Sequence, residues 1–485
     1  MQVLNRKNTG ITKRLPIKVI QYGEGNFLRG FADYIIDKLN KEADFNAGVA
    51  VIQPRAGGKV QRLVDQDCLY NLFLKGIKNG KETEEIHTIS CIQQGIDPYV
   101  NYEAHQALAE EESLQFVISN TTEAGIAYNA EDAMLEDAPH TSFPAKVTAL
   151  LYRRFQYFKG AADKGLTIIP CELINQNADT LKKIILQYAA QWELGAEFTT
   201  WVEQHNSFHN TLVDRIVPGY PKDDIEAYQK QLDFKDNILV SAEVYLLWVI
   251  EGDEKLKAKI PLEKIDENIL IVKDLQPYRT LKVRILNGAH TTMVPFSLLY
   301  GNTTVKESVD NAFTGKFIKE AVFNEIIPTL DMSKEESNAF AEAVFDRFRN
   351  PFIKHQLSSI ALNSISKFKV RVLPSLLAFH QKYNRLPINL TFALACLIRF
   401  YKGSWRGEDL PVDDDPAVIA IFEEAWSTEN TSTVAKNILK NREFWGENLA
   451  KIPDFQANIV NALELIEEEG VEMGYKKFAA QFEQV

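Results

Sequence analysis

The sequence predicts an α/β domain followed by a mostly α-helical one. Three observations carry this. Apolar, β-branched runs alternate with helical patterns up to about residue 275, the first run empties into a glycine turn, and beyond 275 apolar spacing near 3.6 residues takes over. Strand, glycine turn, helix is the order a dinucleotide site needs, so residues 1–275 are read as a Rossmann-like domain with a β-hairpin insertion and 276–485 as a helical domain.

Ile17–Tyr22 (IKVIQY) runs directly into Gly23-Glu24-Gly25-Asn26-Phe27-Leu28-Arg29-Gly30 and the helical pattern FADYIIDKLN. Glycines let a backbone approach a pyrophosphate, and a helix start offers N–H groups and positive dipole. Leu28 stands where the third glycine of G-x-G-x-x-G would fall, so this turn alone leaves cofactor site and plain loop both open. The second strand, 48–53, ends in Gln53-Pro54-Arg55 with no acid beside it. That residue chemistry leans to the extra phosphate of NADP rather than the ribose hydroxyls of NAD.

Residues 69–76, Asn79-Gly80 and 82–95 read as the inserted hairpin, because Asn-Gly is the strongest two-residue turn signal. A strand over 114–118 ends in Ser119-Asn120-Thr121-Thr122-Glu123-Ala124-Gly125. Small polar residues at the carboxyl end of a parallel strand lie over the ligand crevice, although alone this is simply a turn. A helix over 143–158 starts at Pro144, and a strand over 166–171 leads through Glu172 to Asn177 into another helix. Asparagines in such a loop are ordinarily caps or turn formers. In TLVDRIVPGYP, Asp214 and Arg215 read as an ion pair holding the segment, and Trp248 reads as core.

Helices are expected around 281–299, 332–349, 388–402, 414–426 and 455–469. In the first, KVRILNGAH sets Lys282, Asn287 and His290 at i, i+5 and i+8, within an arc of roughly 140° on an α-helix. Three polar residues on a helix are as a rule a solvated stripe. An amine, an amide and an imidazole on one side can also move a proton to or from an oxygen while holding that oxygen in place. His355, Lys367 and Arg371 add positive charge in the same half.

The stretch K-x4-N-x2-H resembles the signature of the polyol-specific long-chain dehydrogenases, the mannitol dehydrogenase family, to which the hexuronate reductases belong. GEGNFLRGF is similar to the family's G-x-G-x-F-x-R, residues 122–125 to T-E-x-G, CELINQNA to C-[DE]-x4-N-G with Ala178 in place of the glycine, and VDRIVP to V-D-R-I-x-P. The resemblance runs from about residue 19 to about 374. It implies cofactor binding by Gly23, Gly25, Asn26, Phe27, Arg29, Thr122 and Glu123, to which the end of the second strand adds Gln53 and Arg55. It implies catalysis by Lys282, Asn287, His290 and Asn177 and substrate binding by His355, Lys367 and Arg371; Arg279 is added for its charge, and no metal is expected because the lysine and two amides can polarise the reacting oxygen. It favours NAD, while Arg55 keeps NADP open. Arg279 stands where the mannitol-oxidising members carry glutamate, so the expected substrate is a hexuronate or aldonate whose carboxylate needs a cation. Hydride transfer at a keto carbon, with Lys282 as general acid and base, is the expected chemistry.

Composition bounds the alternatives. At 485 residues more than one core is expected, and a net charge of −12 argues against nucleic acid or an anionic membrane as partner. No apolar run approaches the roughly 18 residues of a membrane span, and MQVLNRKNTGITKRLP lacks the apolar core of a signal peptide, so a cytoplasmic protein is expected. Cys68, Cys91, Cys171 and Cys396 show no C-x-x-C spacing and are expected as buried thiols. Oligomeric state is left open. A nucleotide-binding regulator without turnover is the reading from another class, and the intact Lys282, Asn287 and His290 speak against it.

Overall fold

The apolar runs expected as strands up to residue 171 form strands, and five further strands follow between residues 207 and 272. In a computed structural model that describes residues 1–122, 124–428 and 430–482, they are β1 (Ile17–Tyr22), β2 (Gly48–Ile52), β3 (Tyr70–Lys78), β4 (Lys81–Ile89), β5 (Ile92–Ile96), β6 (Phe116–Ser119), β7 (Thr167–Pro170), β8 (Ser207–Phe208), β9 (Thr211–Asp214), β10 (Val240–Glu243), β11 (Leu247–Glu251) and β12 (Ile269–Val272). Six of them make one parallel sheet in the order β5-β2-β1-β6-β7-β8. Both faces are covered, which is why β2 is apolar and buried at every position. Val19, Val49 and Phe116 enter one core and Ile20, Ala50 and Val117 the other. Strand order reverses between β1 and β6, so the ligand crevice of such a sheet lies at their carboxyl ends.

The chain divides into two units, Met1–Gly76 with Glu82–Leu275, and Ile77–Lys81 with Gln276–Val485. The hairpin turns at Asn79 and Gly80 with φ of 53° and 72°, as a tight hairpin turn requires. The expected second arm, 82–95, is in fact two strands. The buried Asp37 carboxylate accepts the backbone N–H of Ser90 (2.8 Å) and of Cys91 (3.1 Å), and the corner it holds sends β5 away to pair with β2. β3 joins β10 and β4 in a three-stranded sheet, and β9, β11 and β12 form another.

In the second unit Ile388–Phe400 is the central helix, and Gly288–Tyr300 and Phe455–Ala480 pack on it. The latter breaks its helical dihedrals at Gly470. The expected α-helix over 281–299 differs: Lys282–Asn287 is a π-helix, and α-helix resumes only at Gly288. A second π-helix, Ala321–Ile326, carries Glu325, whose buried carboxylate accepts the N–H groups of Asn389 and Leu390, both at 2.8 Å, at the start of the central helix. The four cysteines are free and buried. Among the described residues no helix is long and apolar enough to cross a membrane.

Candidate active site

In the first unit the glycine turn sits at the switch point. Gly23 has φ of 126°, and a Cβ there would lie 2.8 Å from the Asn120 carbonyl, so only glycine lets β1 leave the sheet so close to β6. Gly25 is exposed with nothing within 4 Å of where its Cβ would stand, leaving open backbone over the crevice. These features fit a dinucleotide at this sheet.

The side chains expected around it divide. Phe27 stacks on Phe31 with centroids 5.0 Å apart, and the Asn26 carboxamide oxygen accepts from Arg29 (2.7 Å). Arg29 itself is turned inward. It lies buried over the Tyr70 ring and also donates to the Ile238 carbonyl at 2.6 Å, so it fastens the fold instead of facing a phosphate. Gln53 is buried too, its amide donating to Asp97 (2.9 Å) and accepting from Val60 N–H (3.3 Å). Arg55 is exposed on the following loop. Thr122 is exposed with φ of 79°, and Glu123 lies outside the described residues.

The carboxyl ends of β6 and β7 are clamped by Glu172, whose role no local spacing reveals because its partners lie about fifty residues away. Its Oε1 accepts the Thr121 N–H and hydroxyl, both at 2.9 Å, and its Oε2 accepts the Ser119 hydroxyl at 3.0 Å. Burial raises its pKa, and those bonds oppose the rise. Asn177 closes the same loop from below. Fully buried, it donates to the carbonyls of Pro170 (3.0 Å) and Glu172 (3.1 Å), and its oxygen accepts the Thr211 N–H at 3.0 Å. An amide so occupied holds a loop together and has nothing left for a substrate oxygen. Arg215 likewise departs from the expected pairing with Asp214. It donates to the carbonyls of Glu243 (2.8 Å) and Gly30 (2.9 Å) and covers Tyr34, while Trp248 is core as expected.

In the second unit the π-turn changes the geometry of the array. Its i→i+5 closure sets Asn287 nearly above Lys282, closer to one face than α spacing would bring them. His290 follows one turn on, its ring 4.5 Å from Phe348 and 5.2 Å from His355. Lys282, Asn287 and His290 are all half-buried. The π-turn packs against helices Lys334–Phe348 and Ser364–Arg371. From the latter, Arg371 reaches the Thr291 hydroxyl (3.5 Å) and Lys367 donates to the Ile360 carbonyl (2.9 Å). Burial lowers the pKa of His355, with Arg347 adding to the effect, and burial with Arg371 lowers that of Lys367. Arg279 lies half-buried on the Gln276–Leu281 helix that leads into the π-turn.

A nucleotide-type parallel sheet followed by a helical unit bearing this array defines a two-domain dehydrogenase class. Residues 17–264 match the mannitol dehydrogenase Rossmann domain and 274–467 the mannitol dehydrogenase C-terminal domain, and the chain belongs to the mannitol dehydrogenase family of oxidoreductases. It is 45% identical over 483 residues to an altronate oxidoreductase of Bacillus subtilis (strain 168), covering 99% of each chain. It is 44% identical over 482 residues to one of Pectobacterium carotovorum, covering 97% of this chain and 98% of the relative. In fold it is similar to a D-sorbitol dehydrogenase (TM-score 0.80, 19% identity, 98% of this chain and 100% of that one). It is also similar to Pseudomonas fluorescens mannitol 2-dehydrogenase in a complex with NAD and D-mannitol (TM-score 0.67, 19% identity, 99% and 100%).

Proposed function

We propose that this chain interconverts D-tagaturonate and D-altronate with NAD(H), as a tagaturonate reductase in hexuronate catabolism. The observation that carries the reading is near-full-length identity of 45% to an altronate oxidoreductase in a chain that keeps the Lys282, Asn287 and His290 array. When bound, the dinucleotide supplies or accepts the hydride at the nicotinamide ring. The open turn at Gly23 and Gly25 and the clamped loop at Thr121 are the elements of this chain that would hold it.

As a keto group is reduced, negative charge grows on its oxygen. Lys282 donates the proton that neutralises that charge, and in the reverse direction removes it from the alcohol. Asn287, set nearly above Lys282 by the π-turn, donates a hydrogen bond to the same oxygen, and the saturated Asn177 is left out of this role. His290 orients the amine or a neighbouring hydroxyl. Lys367, Arg371 and Arg279 supply the positive charge that a uronate carboxylate requires against a net charge of −12, and His355, whose pKa burial lowers, offers a neutral hydrogen bond.

Initial rates of NADH and of NADPH oxidation with tagaturonate, fructuronate and fructose at equal concentration test the reading. A rate confined to tagaturonate with NADH supports it. Preference for fructuronate or fructose would make the chain a fructuronate reductase or a mannitol 2-dehydrogenase, and binding without any turnover would make it a regulator.

A further inference from the structure

We infer that Glu24 and Asp97, two carboxylates from different loops that converge on Gln53, select NAD against NADP. The inference rests on the dinucleotide reading of the first unit. In sequence, β2 ends without the acidic residue that accepts ribose hydroxyls in NAD-selective sheets of this kind, and the nearby Arg55 suggests the opposite preference. Tertiary structure supplies the missing acid twice.

From the neighbouring strand comes Asp97. Ile52 pairs with Ile96, and the Gln53 N–H donates to the Ile96 carbonyl at 3.0 Å, so the residue after β5 stands level with the end of β2. Asp97 Oδ2 accepts from Gln53 Nε2 at 2.9 Å, and Oδ1 accepts the Tyr99 N–H at 2.9 Å. The carboxylate is thereby held in one orientation while staying partly exposed. From the glycine turn comes Glu24, whose Oε1 accepts the Lys59 N–H at 3.1 Å. A Cβ on Gly58 would lie 2.4 Å from Gln53 Cδ and 2.5 Å from Glu24 Oε1, so the Gln53 amide and the Glu24 carboxylate meet over that glycine.

Both carboxylates accept from neutral amide N–H groups: Asp97 from the Gln53 side chain and the Tyr99 backbone, Glu24 from the Lys59 backbone. Each keeps acceptor capacity for a ribose hydroxyl. A 2′-phosphate, carrying a charge of about −1.5 to −2, would instead meet two like charges. Arg55 is solvent-exposed on the loop beyond, where its charge is screened.

The test is equilibrium binding of NADH and NADPH, followed by nicotinamide fluorescence, to the full chain and to Glu24→Gln, Asp97→Asn, the double variant and Arg55→Ala. Asn at 97 can still accept from Gln53, and Glu24 is half-exposed, so at least one variant keeps the fold; a thermal melt checks each. The wild type is expected to bind NADH more tightly. In the double variant the Kd ratio should shift toward NADPH by at least about tenfold, mainly through tighter NADPH binding, since like-charge juxtaposition is relieved. Arg55→Ala should leave the ratio unchanged. A wild type that prefers NADPH, or an unchanged ratio in both folded single variants, overturns the inference while leaving the dinucleotide reading intact. Failure of the wild type to bind either nucleotide overturns both.

Discussion

Thr121 is tied to Glu172 twice, through its backbone N–H and its hydroxyl, both 2.9 Å from the same carboxylate oxygen. With Ser119 on the other oxygen, all three partners are donors, so the site needs a group that only accepts. Glu172→Leu leaves those donors without a partner at a cost of about 1–3 kcal/mol each where they are buried. The expected outcome is a lower melting temperature together with weaker NADH binding, read by a thermal melt and a fluorescence titration. Glu172→Gln, which can still accept from Thr121, should lose less of both.

Asn177 and Asn287 share a residue type and divide in role. Asn177→Ala removes an amide that bridges Pro170, Glu172 and Thr211, and is expected to lower stability by at least about 2 kcal/mol in a denaturant titration. Asn287→Ala, on the half-buried π-turn, should leave the midpoint near wild type and reduce kcat by about tenfold to a thousandfold, the range for a lost oxyanion donor. Equal effects of both changes on kcat with unchanged stability would return Asn177 to the reacting oxygen.

Lys282→Ala should lower kcat by on the order of a hundredfold or more, the range of general acid catalysis, while the Kd for NADH stays near wild type. Steady-state rates and a fluorescence titration decide it. An active variant would remove the lysine from the mechanism.

Arg279→Glu puts an acid where the mannitol-oxidising members have one. The KM for tagaturonate should rise by at least about tenfold, as expected when a charged partner of a carboxylate is reversed. An unchanged KM would show that another cation receives the carboxylate.

Two buried carboxyls set a pH dependence of stability. Burial pushes Asp33 and Glu325 up to about 7, above the usual carboxyl value near 4. The folded chain therefore keeps these protons at pH values where the unfolded chain has lost them. Their stabilising contribution is complete below about pH 4 and is lost as pH rises through about 7. Denaturant midpoints measured at intervals between those limits should show this downward term, and Glu325→Gln should flatten it. An identical slope in the variant would show that Glu325 does not titrate there.

The sequence by itself determined the two-part architecture. GVAVI is buried at every position and IKVIQY from Val19 onward, so neither shows the alternation of a half-exposed strand, and Asn79-Gly80 encodes its turn in two residues. It also placed Lys282, Asn287 and His290 in one helical stretch, because their spacing is local. What it left undecided is non-local. Gln53 meets Asp97 only through the pairing of β2 with β5, Thr121 meets Glu172 only across β6 and β7, and Arg29 turns inward because the Ile238 carbonyl lies beside it. Each contact joins residues at least 44 positions apart, a distance at which spacing carries no signal. The π-turn was hidden for a different reason. One extra residue in a single turn leaves the apolar pattern of KVRILN compatible with either helix, and packing against two neighbouring helices accompanies the form adopted.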